Sequence, residues 1–538
     1  LFVLSLTFLV FINFSTIWLV LLIIFLIYTG FAIYKRVFKE NINRLLLPIF
    51  LIIISAAFLA SSFFVSLAPV NFMASKLPRE ITLPQSVGWQ IAFDSLKSNP
   101  IQNSILGSGP ATFYYDFSKF RSLEFNQTNF WLVRFDRPAN YFAEITSTIG
   151  ILGLISYLVI IGLFIFTVYN LGIKIFEEKE ASREKGKIGL LTFAVFLGLL
   201  LTQIFFYQNS VFAFLFWLFL GLTMVSLDGA IKEKVFSFKD FPELNLAVSS
   251  FLLVISIVII AGFWFSGRFY LADVYQAKAQ PMPIDSSRIS LAEKIVNLNP
   301  YRSQYRIALA RTYYADASNE LQKPSSQQET TRIQNGISQT VNQGKLAALL
   351  SPNQVSNWEF LAMIYRDLRQ ITPEADNFAV SSFEEAIKLD PVNPVLYTEL
   401  GKLYLLDQAD KAREKFQKAK ELKADYADAL IQEILIDEKD DLAGTVKKMQ
   451  ELAKNYPQNT DILFQFGRLL FNNKQTEEAI NVFSLVINLN PNHSNALYSR
   501  GVVYKNRGEK ELAREDFERV LALNPNNQEV AKQLEELK

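Results

Sequence analysis

Residues 492–525 read NHSNALYSRGVVYKNRGEKELAREDFERVLALNP. Two helical stretches, each with apolar residues at helical spacing, are separated by Asn506-Arg507-Gly508 and closed by Leu-Asn-Pro. The first carries Gly501 and Tyr504; the second carries Ala513, Phe517 and Val520 before Pro525. Leu-Asn-Pro or a close variant recurs at Pro300, Pro352, Pro391, Pro457 and Pro491. The last two intervals are 34 residues each, and Pro391 to Pro457 is 66, about two such units. Self-similarity at a fixed period of this size marks a stack of helix pairs, because one pair alone cannot bury its apolar face. Small residues let the paired helices touch, and aromatics are expected to fill the space between successive pairs.

The 34-residue period and these residues resemble the tetratricopeptide repeat. Earlier units match with Gly467, Ala479 and Phe483; with Gly401, Tyr404, Ala412, Phe416 and Ala419; and with Trp358, Leu361, Tyr365, Phe383 and Ala386. A polar Ser/Gln/Thr insertion near 322–334 reads as a surface loop. The resemblance implies a solenoid that holds a peptide or protein partner in its concave groove; a spacer or an oligomer contact is the alternative. His493, the single histidine, falls in an inter-repeat turn and reads as surface decoration.

Composition changes sharply near residue 267. The 538-residue chain is 50% hydrophobic, with a mean hydropathy of +0.18. Apolar runs able to cross about 30 Å of hydrocarbon fall at Phe14–Tyr34, Leu45–Leu67, Ile145–Asn170, Ile188–Tyr207, Val211–Leu227 and Leu246–Ser266. Leu1–Asn13 is too short and reads as the remnant of a cut helix, so the chain is expected to lack N-terminal residues. Lys35, Arg36, Lys39 and Arg44, then Lys174 to Lys187, then Lys232, Lys234 and Lys239 fall on one side of this arrangement. Basic loops stay cytoplasmic, which puts the loop from Ala68 to Asn140 and everything beyond Arg268 outside. The expected architecture is all-α. A polytopic transmembrane bundle (1–67 and 145–267) carries an outer loop (68–144) and is followed by an α-solenoid (268–538). Helical character continues through Arg268–Lys278, so the last span is expected to run into the first repeat helix.

Several chemistries are excluded. No cysteine means no thiol catalysis, disulfide or thiolate metal site, and a single histidine excludes multi-histidine sites. A net charge of +1, from 53 basic and 52 acidic residues, argues against nucleic acid as a partner. No metal or other cofactor is implied.

The outer loop concentrates what chemistry there is. Eleven aromatics lie between Phe113 and Phe142, Trp131 and Tyr141 among them, with Arg79, Lys97, Lys119, Arg121, Arg134 and Arg137 among or just before them. Aromatic faces stack on sugars and arginine forks hold phosphate oxygens. An interfacial aromatic belt has the same composition. The ordered set Gly107-Ser108-Gly109-Pro110, Arg137-Pro138-Ala139-Asn140, Glu144 and Gly150-Ile151-Leu152-Gly153 resembles the O-antigen ligase and polymerase superfamily of bacterial membrane glycosyltransferases. That resemblance implies transfer of a glycan from an undecaprenyl-diphosphate carrier to an acceptor lipid, glycan or protein on the outer face of the cytoplasmic membrane. Under it, Arg137 and Arg134, then Arg121 and Arg79, would clamp the diphosphate. Glu144, with Asp136 second, would be the base, and Trp131 and Tyr141 would face sugars. The residues leave alternatives open: Glu144 can answer a helix dipole, Asn140 can cap the same helix, and Gly107 and Gly109 can make a turn or turn amides toward phosphate. Ala139 stands where the resemblance implies a histidine that contacts the diphosphate or activates the acceptor hydroxyl, and alanine can do neither. The rival expectation is an inactive, membrane-anchored scaffold displaying the repeats. Asn126-Gln127-Thr128 matches a glycosylation triplet and is discounted as chance.

Overall fold

The computed structural model describes every residue except 1, 13, 40, 65–80, 100, 178–179, 228–241, 370–371, 373, 526 and 538. Arg79 therefore lies outside the described residues. Among those described, helices and turns account for all regular structure and there is no strand. The chain forms two compact units. One contains Leu1–Ser122 and Leu132–Trp264; the other contains Phe265–Lys538 together with the short stretch Leu123–Trp131.

Among the described residues, five helices are long and apolar enough to cross a membrane: Ser15–Tyr34, Ile42–Ala60, Tyr141–Phe176, Glu184–Phe205 and Glu243–Ala279; the first four lie in the first unit. They are apolar nearly all round, a pattern that water does not reward. Ser210–Ser226, also apolar, has 17 residues, about 26 Å of helix, the same length as the run expected at Val211–Leu227. Asn209 starts it by accepting the Phe212 N–H, at 2.9 Å. The helices pack through aromatics. Trp18 stacks on Phe58 at 4.7 Å, and Phe196 sits 4.6 Å from Phe164 and 4.8 Å from Phe216. Pro242–Ala279 is one 38-residue helix. The expected run-on from the last span into Arg268–Lys278 is thus observed, and the two units divide within it.

The second unit is a row of helix hairpins. Pro394–Tyr404 pairs with Ala409–Leu422, Thr460–Asn472 with Thr476–Leu489, and Ser494–Asn506 with Lys510–Leu523. One rule repeats in each. A Cβ added to Gly401, Gly467 or Gly501 would lie 2.5, 2.7 or 2.8 Å from the ring of Phe416, Phe483 or Phe517. Each phenylalanine therefore lies against the glycine of its own hairpin, whereas the aromatics had been expected to fill the space between successive pairs. All three rings are buried to 1% exposure or less, and each contributes roughly 1.5–3 kcal/mol by leaving water.

Helix starts repeat as well. Asn393, Asn459 and Asn527 cap their helices through side-chain oxygens that accept backbone N–H groups at 3.1 Å. His493 takes the same place, its Nδ1 accepting the Ala496 N–H at 3.0 Å. The residue read as decoration is a helix cap.

Candidate functional site

The glycine motifs of the outer loop fold against each other. Gly150 adopts φ 73°, ψ −173° and breaks the helix Tyr141–Glu177; only glycine takes that conformation cheaply. The gap admits the turn at Gly107, whose own φ is 74°. Ser108 N–H donates to the Ser147 carbonyl at 3.0 Å, and Gly109 N–H to the Thr148 carbonyl at 2.9 Å. Gly107 N–H donates to Asn103 at 2.9 Å. These amides are committed to carbonyls, so of the two readings left open by the sequence, the turn is the one observed.

Behind the turn lies a carboxylate the sequence reading did not single out. Asp116 is 5% exposed and accepts a hydrogen bond from Ser108 Oγ at 2.6 Å. Burial pushes its pKa up to about 6, against the opposing pull of the hydroxyls of Ser108, Ser95 and Ser147 and the charge of Lys119. Its only sequence signal was an acidic residue on the buried face of an aromatic helix, Phe113–Phe120.

Asn140 is fully buried. Its Oδ1 accepts the Ala143 N–H at 2.8 Å and its amide donates to Gln85, so it caps the helix that carries Glu144. Arg137 lies over the Tyr207 ring at 4.5 Å and pairs with Asp136 at 3.0 Å. The Asp136 hydrogen bond raises its pKa further, with a smaller electrostatic contribution from Glu144. Arg137 and Glu144 interact electrostatically, and Asp136, the second base candidate, is paired with the arginine. Tyr141 packs edge-on to Tyr157 at 5.9 Å. Arg121 is 4% exposed, 6.0 Å from the Phe117 ring, and is built into the packing. Arg134 is half-buried. Trp131 belongs to the repeat unit, where it meets Tyr426 at 5.5 Å. The short stretch Leu123–Trp131 belongs to that unit, with Asn126 buried in it and Leu123 and Phe130 exposed. Among the described residues, no group of three or more His, Asp or Glu side chains is arranged to hold a metal.

The repeat unit has its own concavity, lined by Gln276, Arg288, Gln304, Arg311, Thr312 and Asn357 among others. Gln304, Arg311 and Thr312 lie on Ser303–Leu321, the leading helix of a hairpin. Its lining mixes Gln276, Gln304 and Arg311 with apolar side chains such as Ile284 and Ile307. Asn357 spends its amide on the Ala347 and Ser351 carbonyls, Arg288 donates to the Met282 carbonyl at 2.6 Å, and Arg311 lies 5.7 Å from the Phe360 ring.

Two stretches match tetratricopeptide repeat family models, residues 460–493 and 494–527. Residues 460–527 are tetratricopeptide repeats. Solved structures similar to the chain include a tetratricopeptide repeat protein from Parabacteroides merdae (15% identity, 51% of this chain and 98% of that chain, TM-score 0.38). YrrB, described as a TPR protein with an unusual peptide-binding site, is 18% identical over 47% of this chain and 100% of its own, with a TM-score of 0.21. Yeast Tom70 is 17% identical over 66% of this chain and 73% of its own, with a TM-score of 0.38. No curated protein sequence matches the chain.

Proposed function

We propose that this chain is a membrane-anchored tetratricopeptide scaffold that binds a segment of another protein. The observation that carries the reading is the hollow that Ser303–Leu321 lines with Arg311 and Gln304, beside Gln276 and apolar side chains. A guanidinium group flanked by amides suits an extended segment bearing a carboxylate, whose backbone the amides can hold. The apolar helices supply the anchor, and the basic-loop pattern supports an extracytoplasmic position for the repeats at the cytoplasmic membrane of a bacterium. The test is a photo-crosslinking side chain at Gln304 in the native membrane. A discrete adduct lost on Arg311→Glu supports the reading; a pattern unchanged by Arg311→Glu overturns it.

A second reading, glycan transfer from an undecaprenyl-diphosphate carrier, is favoured by one observation: Arg137 and Glu144 are electrostatic neighbours at the end of an apolar helix. In that reading Arg137, with Arg134, would steady the leaving diphosphate and Glu144 would take the acceptor proton. Arg121 and Arg79, Tyr141 and the Gly107–Gly109 turn would shape the donor site. Against it stand Ala139 at the family's histidine position, and Asn140 and the turn amides, which are spent on structure. Carrier-linked glycan measured by mass spectrometry in a deletion strain and in Arg137→Ala decides it: accumulation in both supports transfer, and an unchanged pool rejects it.

A further inference from the structure

The nine residues Leu123–Trp131 leave the unit that contains the rest of their loop and become part of the repeat unit. Leu123–Gln127 forms a 3₁₀ turn, and the Thr128 hydroxyl closes it by donating to the Phe125 carbonyl at 2.8 Å. Asn126 is fully buried. Its side-chain amide donates to the Val392 carbonyl at 2.8 Å and to the Leu422 carbonyl at 3.1 Å. Leu422 ends the helix Ala409–Leu422, and its carbonyl belongs to the set that helix geometry leaves unpaired. Lys423 returns the interaction. Its ammonium donates to the Asn126 carbonyl at 3.0 Å, pairs with Asp425 at 2.8 Å and lies 5.2 Å from the Trp131 ring. Trp131 completes the contact against Tyr426.

We propose that two successive inter-repeat turns, at Val392 and at Leu422–Lys423, form a peptide-recognition site for an asparagine-bearing turn followed five residues later by an aromatic. The chain fills this site in cis with residues 123–131, and a partner segment of the same chemistry gains the site only when that stretch lets go. The specificity follows from counting donors. A primary amide has two N–H groups and meets two carbonyls. Aspartate would set a carboxylate against both and supply no donor. The resident is also an imperfect ligand, because Asn126 Oδ1 is buried without a hydrogen-bond partner. A segment that satisfied that acceptor would hold the site more tightly. Intramolecular occupancy acts like a high local concentration of ligand, on the order of millimolar for short tethers. Free peptide should therefore reach the site only after the resident is weakened.

The gating half rests on the scaffold reading above; the cis docking does not. The full chain in detergent is compared with Asn126→Ala by hydrogen exchange. Both are then titrated with a fluorescein-labelled peptide of residues 121–133. The expected result is protection of 123–131 in the wild type, lost at least tenfold in Asn126→Ala. Peptide binding is expected in the variant only, weakened at least tenfold when the peptide carries Asn126→Asp. Wild-type exchange of 123–131 as fast as the free peptide would overturn the proposal. So would an Asn126→Ala chain with protected repeat helices that ignores the peptide or binds the aspartate form equally. If Asn126→Ala loses the repeat helices, Trp131→Ala serves as the vacated chain under the same criteria. Crosslinking from Gln304 reports on the scaffold reading independently of either result.

Discussion

Replacing Gly150 with alanine perturbs the point where the outer-loop motifs meet. The backbone at φ 73°, ψ −173° lies in a region that costs a non-glycine residue about 1–3 kcal/mol. The added Cβ would lie 2.5 Å from both the Gly107 nitrogen and the Ile105 carbonyl oxygen, and 2.7 Å from the Ile105 carbonyl carbon. All three are backbone atoms, so relief requires the whole turn to retreat, an overpacking cost of about 1–3 kcal/mol. The sum is roughly 2–6 kcal/mol. Retreat also breaks the Ser108 and Gly109 bonds to Ser147 and Thr148. Gly162→Ala is the control, since its Cβ would meet nothing within 4 Å, and it should change stability by less than about 1 kcal/mol. Unfolding of the detergent-solubilised chain against increasing SDS supplies the measurement. Gly107→Ala should cost a similar amount, since its Cβ would lie 2.4 Å from the Thr148 carbonyl carbon. The double variant should cost clearly less than the sum, because both changes break one contact. A Gly150→Ala chain as stable as Gly162→Ala would refute the reasoning.

Other expectations can be measured on the same protein. Asp116 has a folded pKa of about 6 against an ordinary 3.8, so the folded state binds the proton more tightly. Its stabilisation is complete below about pH 4 and is lost as pH rises through 6, amounting to about 3 kcal/mol at most; Asp116→Asn should flatten the stability profile between those limits. His493→Asn should keep or raise repeat stability, by less than about 1 kcal/mol, because asparagine is among the strongest caps; a loss above that in thermal unfolding contradicts the capping role. Gly467→Ala drives a Cβ to 2.7 Å from the Phe483 ring and should destabilise the hairpin by about 1–3 kcal/mol, read as faster exchange in Thr460–Leu489.

The repeats were legible because their physics is periodic. A glycine with a phenylalanine 15 or 16 residues later marks three hairpins, two of them closed by Asn-Pro, and Gly501 with Phe517 announced the hairpin they form. The run-on of the last apolar helix into Arg268–Lys278 was equally plain, since nothing there breaks a helix. The outer loop was legible only in part. Asn140 and Glu144 share a helix start as their spacing implied, and Gly150 marks a helix break. Composition could not say that Trp131 and Asn126 belong with residues 392–426, because that pairing rests on two turn carbonyls with no side-chain signature. Asp116 was hidden for a related reason: burial, and not a sequence pattern, gives it its unusual proton affinity. The Gly107 amides suited an anion on paper, and only the position of Ser147 and Thr148 decided their use.

The most direct test of the scaffold account complements a deletion strain with the gene carrying either Arg311→Glu or Arg137→Ala and scores rescue beside membrane expression. The account predicts that Arg311→Glu reaches the membrane at normal levels and fails to rescue, while Arg137→Ala rescues fully. Full rescue by Arg311→Glu, with loss of rescue and accumulation of carrier-linked glycan in Arg137→Ala, would contradict it and move the function to the unit of apolar helices.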